Sequence, residues 1–147
     1  MTAPAVSPRD ALGNLGAPAY SRVVSAVRYD DTGTHAAYSG AWTTGSLSGA
    51  TGGKVRYTTA SNAAVTFTFN GRTGAVVAPL SSFRSSFKVY VDNVYVKTVS
   101  LYSSTTKPPT VVFTTGTMAS GTHTIKLVHT RVGSRIRADV DAFVVLR

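Results

Sequence analysis

Cysteine is absent from the 147 residues, which excludes disulfide staples, thiolate chemistry and cysteine-bound zinc. Glutamate is absent as well: every one of the six acids is an aspartate. Charged residues make up only 14% of the chain, while 43% is hydrophobic, enough apolar content for a core and too much for disorder. No apolar run is long enough to cross a membrane. Good helix formers are scarce, and Val, Thr, Ser, Gly and Tyr dominate, which is strand-and-turn composition.

Fifteen lysines and arginines against six aspartates give a net charge of +9, which suits an anionic surface polymer or an acidic protein shell. The cations are scattered and form no basic tail, so nucleic acid is an unlikely partner. The opening "MTAPAVSPRDALGNLGAPAY" has no basic start followed by an apolar stretch, so it does not read as a secretory signal. With Pro4, Pro8 and Pro18 it reads as an extended arm or linker over residues 1–20, ahead of one domain over residues 21–147.

From Arg22 onward, short strand patterns alternate with turn residues, predicting nine or ten strands of an all-β sandwich. Val65, Phe67 and Phe69 alternate with threonines, so that strand has a core face and a polar face. In "FKVYVDNVYVKTVSLY", Asp92-Asn93 predicts a tight two-residue hairpin turn. "TTGSLSGATGG" predicts irregular backbone. "SSTTKPPT" predicts a loop, because two prolines cannot donate ladder hydrogen bonds.

Taken in order, "YDDTGTHAAYSGAW", "GGKVRYT", "AVTFTFNG", "KVYVDNVYVKTVSLYS", "GTHTIKLVHT" and "ADVDAFVV" resemble a family of bacterial modules. These are the galactose-binding-like, carbohydrate-binding-module-like domains of secreted actinobacterial hydrolases and phage surface proteins. The resemblance spans roughly residues 27–146. It implies an antiparallel β-jelly-roll sandwich and a non-catalytic binding module, with glycan as the ligand class. It departs from the family at "GAVVAPL", where relatives carry an aromatic residue, and at Asn93, where they have glycine.

Asp139 and Asp141 stand two apart in the apolar run "ADVDAFVVL", so period two places both on one face of a central strand. A buried carboxylate needs a partner. Arginine pairing to Arg135, Arg137 or a neighbouring strand is the plainer solution. The other is a structural calcium, which similar modules carry. First and last strands of a jelly roll lie side by side, so Asp30 and Asp31 are the acids that would join Asp139 and Asp141 around a hard cation. The same acids lack the open cleft of a glycosidase pair. His35, His123 and His129 accompany no Gly-x-Ser-x-Gly elbow, so nucleophilic catalysis is not expected.

Sugar rings stack on flat aromatic faces and are oriented by polar groups in adjacent loops. The candidate ligand residues are Trp42, Tyr38 and Tyr102 as platforms, with Arg72, Arg84 and Lys107 for an anionic group. A lone Trp in a small sandwich also serves as core, the plainer role for Trp42. The expected setting is an extracellular or virion surface. The rival function is structural: a phage capsid-decoration or tail component, oligomeric or docked on other virion proteins through the arm and the positive surface.

Overall fold

The structure, a computed structural model, describes residues 26–30 and 35–147; the arm at residues 1–20 lies outside these. Among the described residues it has twelve strands: β1 (Ala26–Asp30), β2 (Ala36–Ser39), β3 (Thr43–Ser46), β4 (Lys54–Thr58), β5 (Ala64–Gly71), β6 (Thr73–Leu80), β7 (Ser86–Val91), β8 (Val94–Ser100), β9 (Lys107–Thr114), β10 (Gly121–Thr130), β11 (Ala138–Val140) and β12 (Ala142–Leu146). They form a four-stranded sheet in the order β1-β12-β6-β9, a five-stranded sheet β2-β5-β10-β7-β8 and a three-stranded sheet β11-β4-β3. All ladders between these strands are antiparallel, giving the expected jelly-roll sandwich. Among the described residues no helix is long and apolar enough to cross a membrane.

The core follows from period two. Val65, Phe67 and Phe69 on β5 point inward with Val89 on β7 and Ile125 and Leu127 on β10. Phe143 of β12 meets them from the opposite sheet, stacked on Phe67 at 4.2 Å between ring centroids and 6° between planes. The threonines between the β5 core residues are left on the outer face. Asp92 and Asn93 take φ of 49° and 68°, the left-handed pair that a two-residue turn requires.

Three local expectations are corrected. The stretch "TTGSLSGATGG" is not irregular throughout: Thr43–Ser46 pairs with β4, and only the rest is loop, closing in a 3-10 turn at Thr51–Gly53. The prolines Pro108 and Pro109 lie inside β9. That strand is the edge of its sheet, so missing N–H groups are tolerated there, and a register shift opposite Ala78–Leu80 absorbs them. Finally, "ADVDAFVVL" is two strands. The chain leaves the three-stranded sheet after Val140 and joins the four-stranded sheet at Ala142, so Asp139 and Asp141 do not share one face of one strand.

A candidate glycan-binding end

β6, β8 and β10 all finish at one end of the sandwich, and the loops that follow them are sewn together. Ser81 and Tyr102 form a parallel bridge, as do Arg84 and Arg137. Backbone N–H groups of Leu101 and Ser85 donate to Ser85 O and Arg137 O, each at 2.8 Å. In the third loop, Val132 pairs with Arg135 around Gly133 at φ 57°.

Asp139 sits beneath these loops, fully buried. Arg84 Nε donates to its Oδ1 at 2.9 Å, and Arg137 Nη2 donates to its Oδ2 at 2.9 Å. The Arg84 side chain is 4% exposed and that of Arg137 30% exposed. The carboxylate thus neutralises one buried guanidinium and fixes a second that reaches the surface. Arg84 Nη1 also donates to Ser81 Oγ at 2.8 Å.

Aromatic rings interleave with the arginines. The Arg137 guanidinium lies 3.8 Å from the Tyr57 ring centroid and 5.8 Å from that of Phe83. Arg84 lies 4.7 Å from Phe83, and Arg135 4.8 Å from Tyr102. Arg135 Nε donates to Arg84 O at 2.8 Å, tying the two halves together. Gly45 leaves room for Tyr57: a Cβ there would stand 3.0 Å from Cε1 of the ring. Phe83 is 50% exposed and Tyr102 48%, beside exposed Ile136. Flat apolar faces alternating with fixed guanidinium groups form a surface that can stack a ring and grip an anion.

Of the six ligand residues expected from sequence, the structure brings Arg84 and Tyr102 into this end. Arg84 acts from beneath, holding Asp139 and Phe83. Lys107 opens β9 opposite Leu80, at the same end and exposed. Arg72 precedes β6, the length of an eight-residue strand away, roughly 26 Å. Trp42 is partly buried against the core, stacked on Phe87 with 16° between planes and donating to Ser39 O. Tyr38 meets Trp42 edge-on, with the Arg56 guanidinium 4.6 Å from its ring. Trp42 and Tyr38 therefore pack on each other, with Trp42 also against the core. Sequence reasoning did not bring Phe83, Arg135 and Arg137 together with Arg84 and Tyr102 at this end. An aromatic in the serine-rich "SSFRSS" and alternating arginines around a glycine turn in "VGSRIR" were the available signals.

The carboxylates do not fit a calcium centre as placed. Asp139 is enclosed by two guanidinium groups, whose charge opposes a cation. Asp141, also buried, accepts Thr51 N–H at 2.7 Å and Arg28 Nη2 at 3.2 Å. Among the described residues no three His, Cys, Asp or Glu side chains converge. Asp31 and the side chain of Asp30 lie outside the described residues.

Ser85 Oγ and His129 Nε2 stand 2.7 Å apart, and both residues are buried. His129 Nδ1–H donates to Ala60 O at 2.7 Å. Burial holds its pKa below the usual 6.5 against the pull of that carbonyl, and the charge of Arg131 adds to the depression. His123 is the opposite case. Its nitrogens face Ala119 O and an Asp92 carboxylate oxygen, each at 2.7 Å, and these acceptors raise its pKa. The His129 contribution to stability is therefore present above pH 6.5 and lost as pH falls. The His123 contribution is complete below 6.5 and lost as pH rises through its raised pKa. His123→Gln should thus make stability fall more steeply between pH 7.5 and 5.5 than in the parent chain. Urea unfolding across that range checks this, and parallel curves for the two proteins would refute it.

A groove of about 350 Å³ opens between the edge strands β8 and β9, lined by Val96, Lys97, Val111, Val112, Phe113 and Thr114. Its side chains offer one charge, Lys97, and one hydroxyl, Thr114.

The fold is one shared with carbohydrate-binding modules. A family 35 carbohydrate-binding module from an environmental isolate superposes with a TM-score of 0.63 at 17% identity, over 82% of this chain and 92% of that one. A family 35 module from Cellvibrio japonicus gives 0.62 at 14% identity, over 84% and 96%. A family 36 module of a xylanase from the hindgut metagenome of Trinervitermes trinervoides gives 0.57 at 15%, over 84% and 97%. No protein-family model and no curated protein sequence matches the chain. At these identities the likeness establishes the architecture, a jelly-roll β-sandwich of the carbohydrate-binding-module type.

Proposed function

We propose that the protein is a non-catalytic glycan-binding module acting in attachment at an extracellular or virion surface. The end cluster of Tyr57, Phe83 and Tyr102 interleaved with Arg84, Arg135 and Arg137 carries this reading. The half-exposed rings of Phe83 and Tyr102 suit the C–H face of a sugar ring. The part-exposed Arg137, held by Asp139 and Tyr57, suits a carboxylate or sulfate on that sugar, with Lys107 at the margin. Two fixed groups lose little freedom on binding, which favours affinity. Ser85 is enclosed and Asp139 and Asp141 are bound by arginine, which supports a binding role for this end.

The test is an oligosaccharide array followed by calorimetric titration. The parent chain should retain particular acidic oligosaccharides, and Phe83→Ala with Tyr102→Ala should weaken that binding about tenfold or more. Both side chains are half exposed, so the double variant should melt close to the parent. An array on which nothing is retained, or a double variant of parental affinity, would overturn the reading. The rival role, a virion decoration or tail component attached through residues 1–20 and the basic surface, would appear as sugar-independent binding to virion proteins.

A further inference from the structure

We propose a second glycan-contact surface, on the outer face of the five-stranded sheet, for an anionic polysaccharide lying across the strands. This rests on the glycan reading above but uses different residues. Strand register sets Ala37, Thr66, Lys126, Tyr90 and Tyr95 in one row across all five strands. The neighbouring row holds Lys88 between Val128 and Thr98. On the other side Thr68 stands opposite Thr124. These positions alternate with the core residues Val65, Phe67, Val89, Ile125 and Leu127, so they face away from the sandwich.

The chemistry of this face is lopsided. Lys126 and Lys88 are diagonal neighbours on adjacent strands, roughly 7 Å apart by ladder geometry, and both are exposed. Neither makes an ion pair among the described residues. The nearby acid, Asp92, is engaged by His123 and by Thr124 N–H. Like charges placed side by side do nothing for the fold. They do match a ligand that carries carboxylates or sulfates along its length.

Beside them the Tyr90 and Tyr95 rings meet edge to face at 5.6 Å and 68°. The Tyr95 hydroxyl is within hydrogen-bond distance of Thr98 Oγ1 at 2.9 Å, and the residue is 50% exposed. Five strands at about 4.8 Å spacing give a platform roughly 19 Å across, with tyrosine rings at one side, two cations in the middle and threonine hydroxyls beyond. An aromatic face, two cations and hydroxyls on one side of the sheet suit an extended acidic glycan, not a compact ligand.

The experiment follows backbone amide shifts of the full chain titrated with a galacturonate tetramer, with its methyl ester as the uncharged counterpart. Saturable shifts at Thr66, Lys88, Tyr90 and Lys126 with the acid and not the ester are expected. Lys88→Ala with Lys126→Ala should weaken those shifts about tenfold in affinity. Lys54→Ala with Lys97→Ala, which removes the same charge elsewhere, should leave them unchanged. These lysines are exposed, and the dispersion of each variant's spectrum verifies its fold. Shifts confined to the loops at 81–85, 101–106 and 131–137 would overturn the second surface and leave the end cluster standing. Shifts at neither place would overturn both. Equal loss in the two lysine pairs would show diffuse charge attraction and overturn this proposal.

Discussion

Asp139→Asn is expected to destabilise the fold by about 3–5 kcal/mol, the usual cost of removing one partner from a buried ion pair. The acid is fully buried and Arg84 nearly so. With an amide in place of the carboxylate, Arg84 keeps its charge where water cannot reach it, and the amide's own N–H₂ group is set among guanidinium donors. Arg137, at 30% exposure, can turn to solvent, so the cost resides mainly at Arg84. For a chain of this size the loss corresponds to a fall of roughly 10 °C in Tm. Trp42, the lone tryptophan, packs on Phe87 and should report unfolding by fluorescence in urea. A catalytic acid would behave in the opposite way, since its removal commonly spares or improves stability. An unchanged urea midpoint would therefore sink the scaffolding role given to Asp139.

The strands that were legible in sequence are those whose faces differ. β5 and β10 are of this kind: alternating apolar and polar residues declare both the strand and its register. Only the second half of β9, in "VVFTTG", reads as a strand; its start was not legible, because Pro108 and Pro109 exclude a central strand and say nothing about an edge. The break at Asp141 was hidden for another reason. The apolar run continues through it, and only the change of partner sheet separates Asp139 from Asp141. The candidate site was half legible. Serine-rich loops and the residues Arg84 and Tyr102 could be picked out, but the cluster depends on three loops meeting. The Arg84–Arg137 bridge spans 53 positions, and no local pattern encodes it. Trp42 takes the core role that a lone tryptophan in a small sandwich favours, and Tyr38 meets it edge-on.

Phe67→Ala should cost a similar 3–5 kcal/mol, and by a different route. Phe67 is fully buried on β5, its ring parallel to Phe143 of β12 and 5.5 Å from Phe69, with Tyr29 of β1 at 5.4 Å. It joins the two large sheets, so truncation leaves a cavity that neither sheet can collapse into without losing its ladder register. Phe67→Leu should cost less, because most of the volume is kept. A loss below about 1 kcal/mol for the alanine variant would show that the aromatic stack is not the joint between the sheets. The comparison with Asp139→Asn then separates stability from function. The end cluster takes its geometry from Asp139, Arg84, Ser81 and the Ser85–His129 contact, none of which touches the Phe67 stack. Folded Phe67→Ala should keep parental affinity for an acidic oligosaccharide, measured at low temperature where enough of it is native. Folded Asp139→Asn, with Arg137 released from its carboxylate, should bind about tenfold more weakly at equal thermal cost. Equal affinity in both variants would mean that Arg137 does not need its carboxylate to meet the ligand.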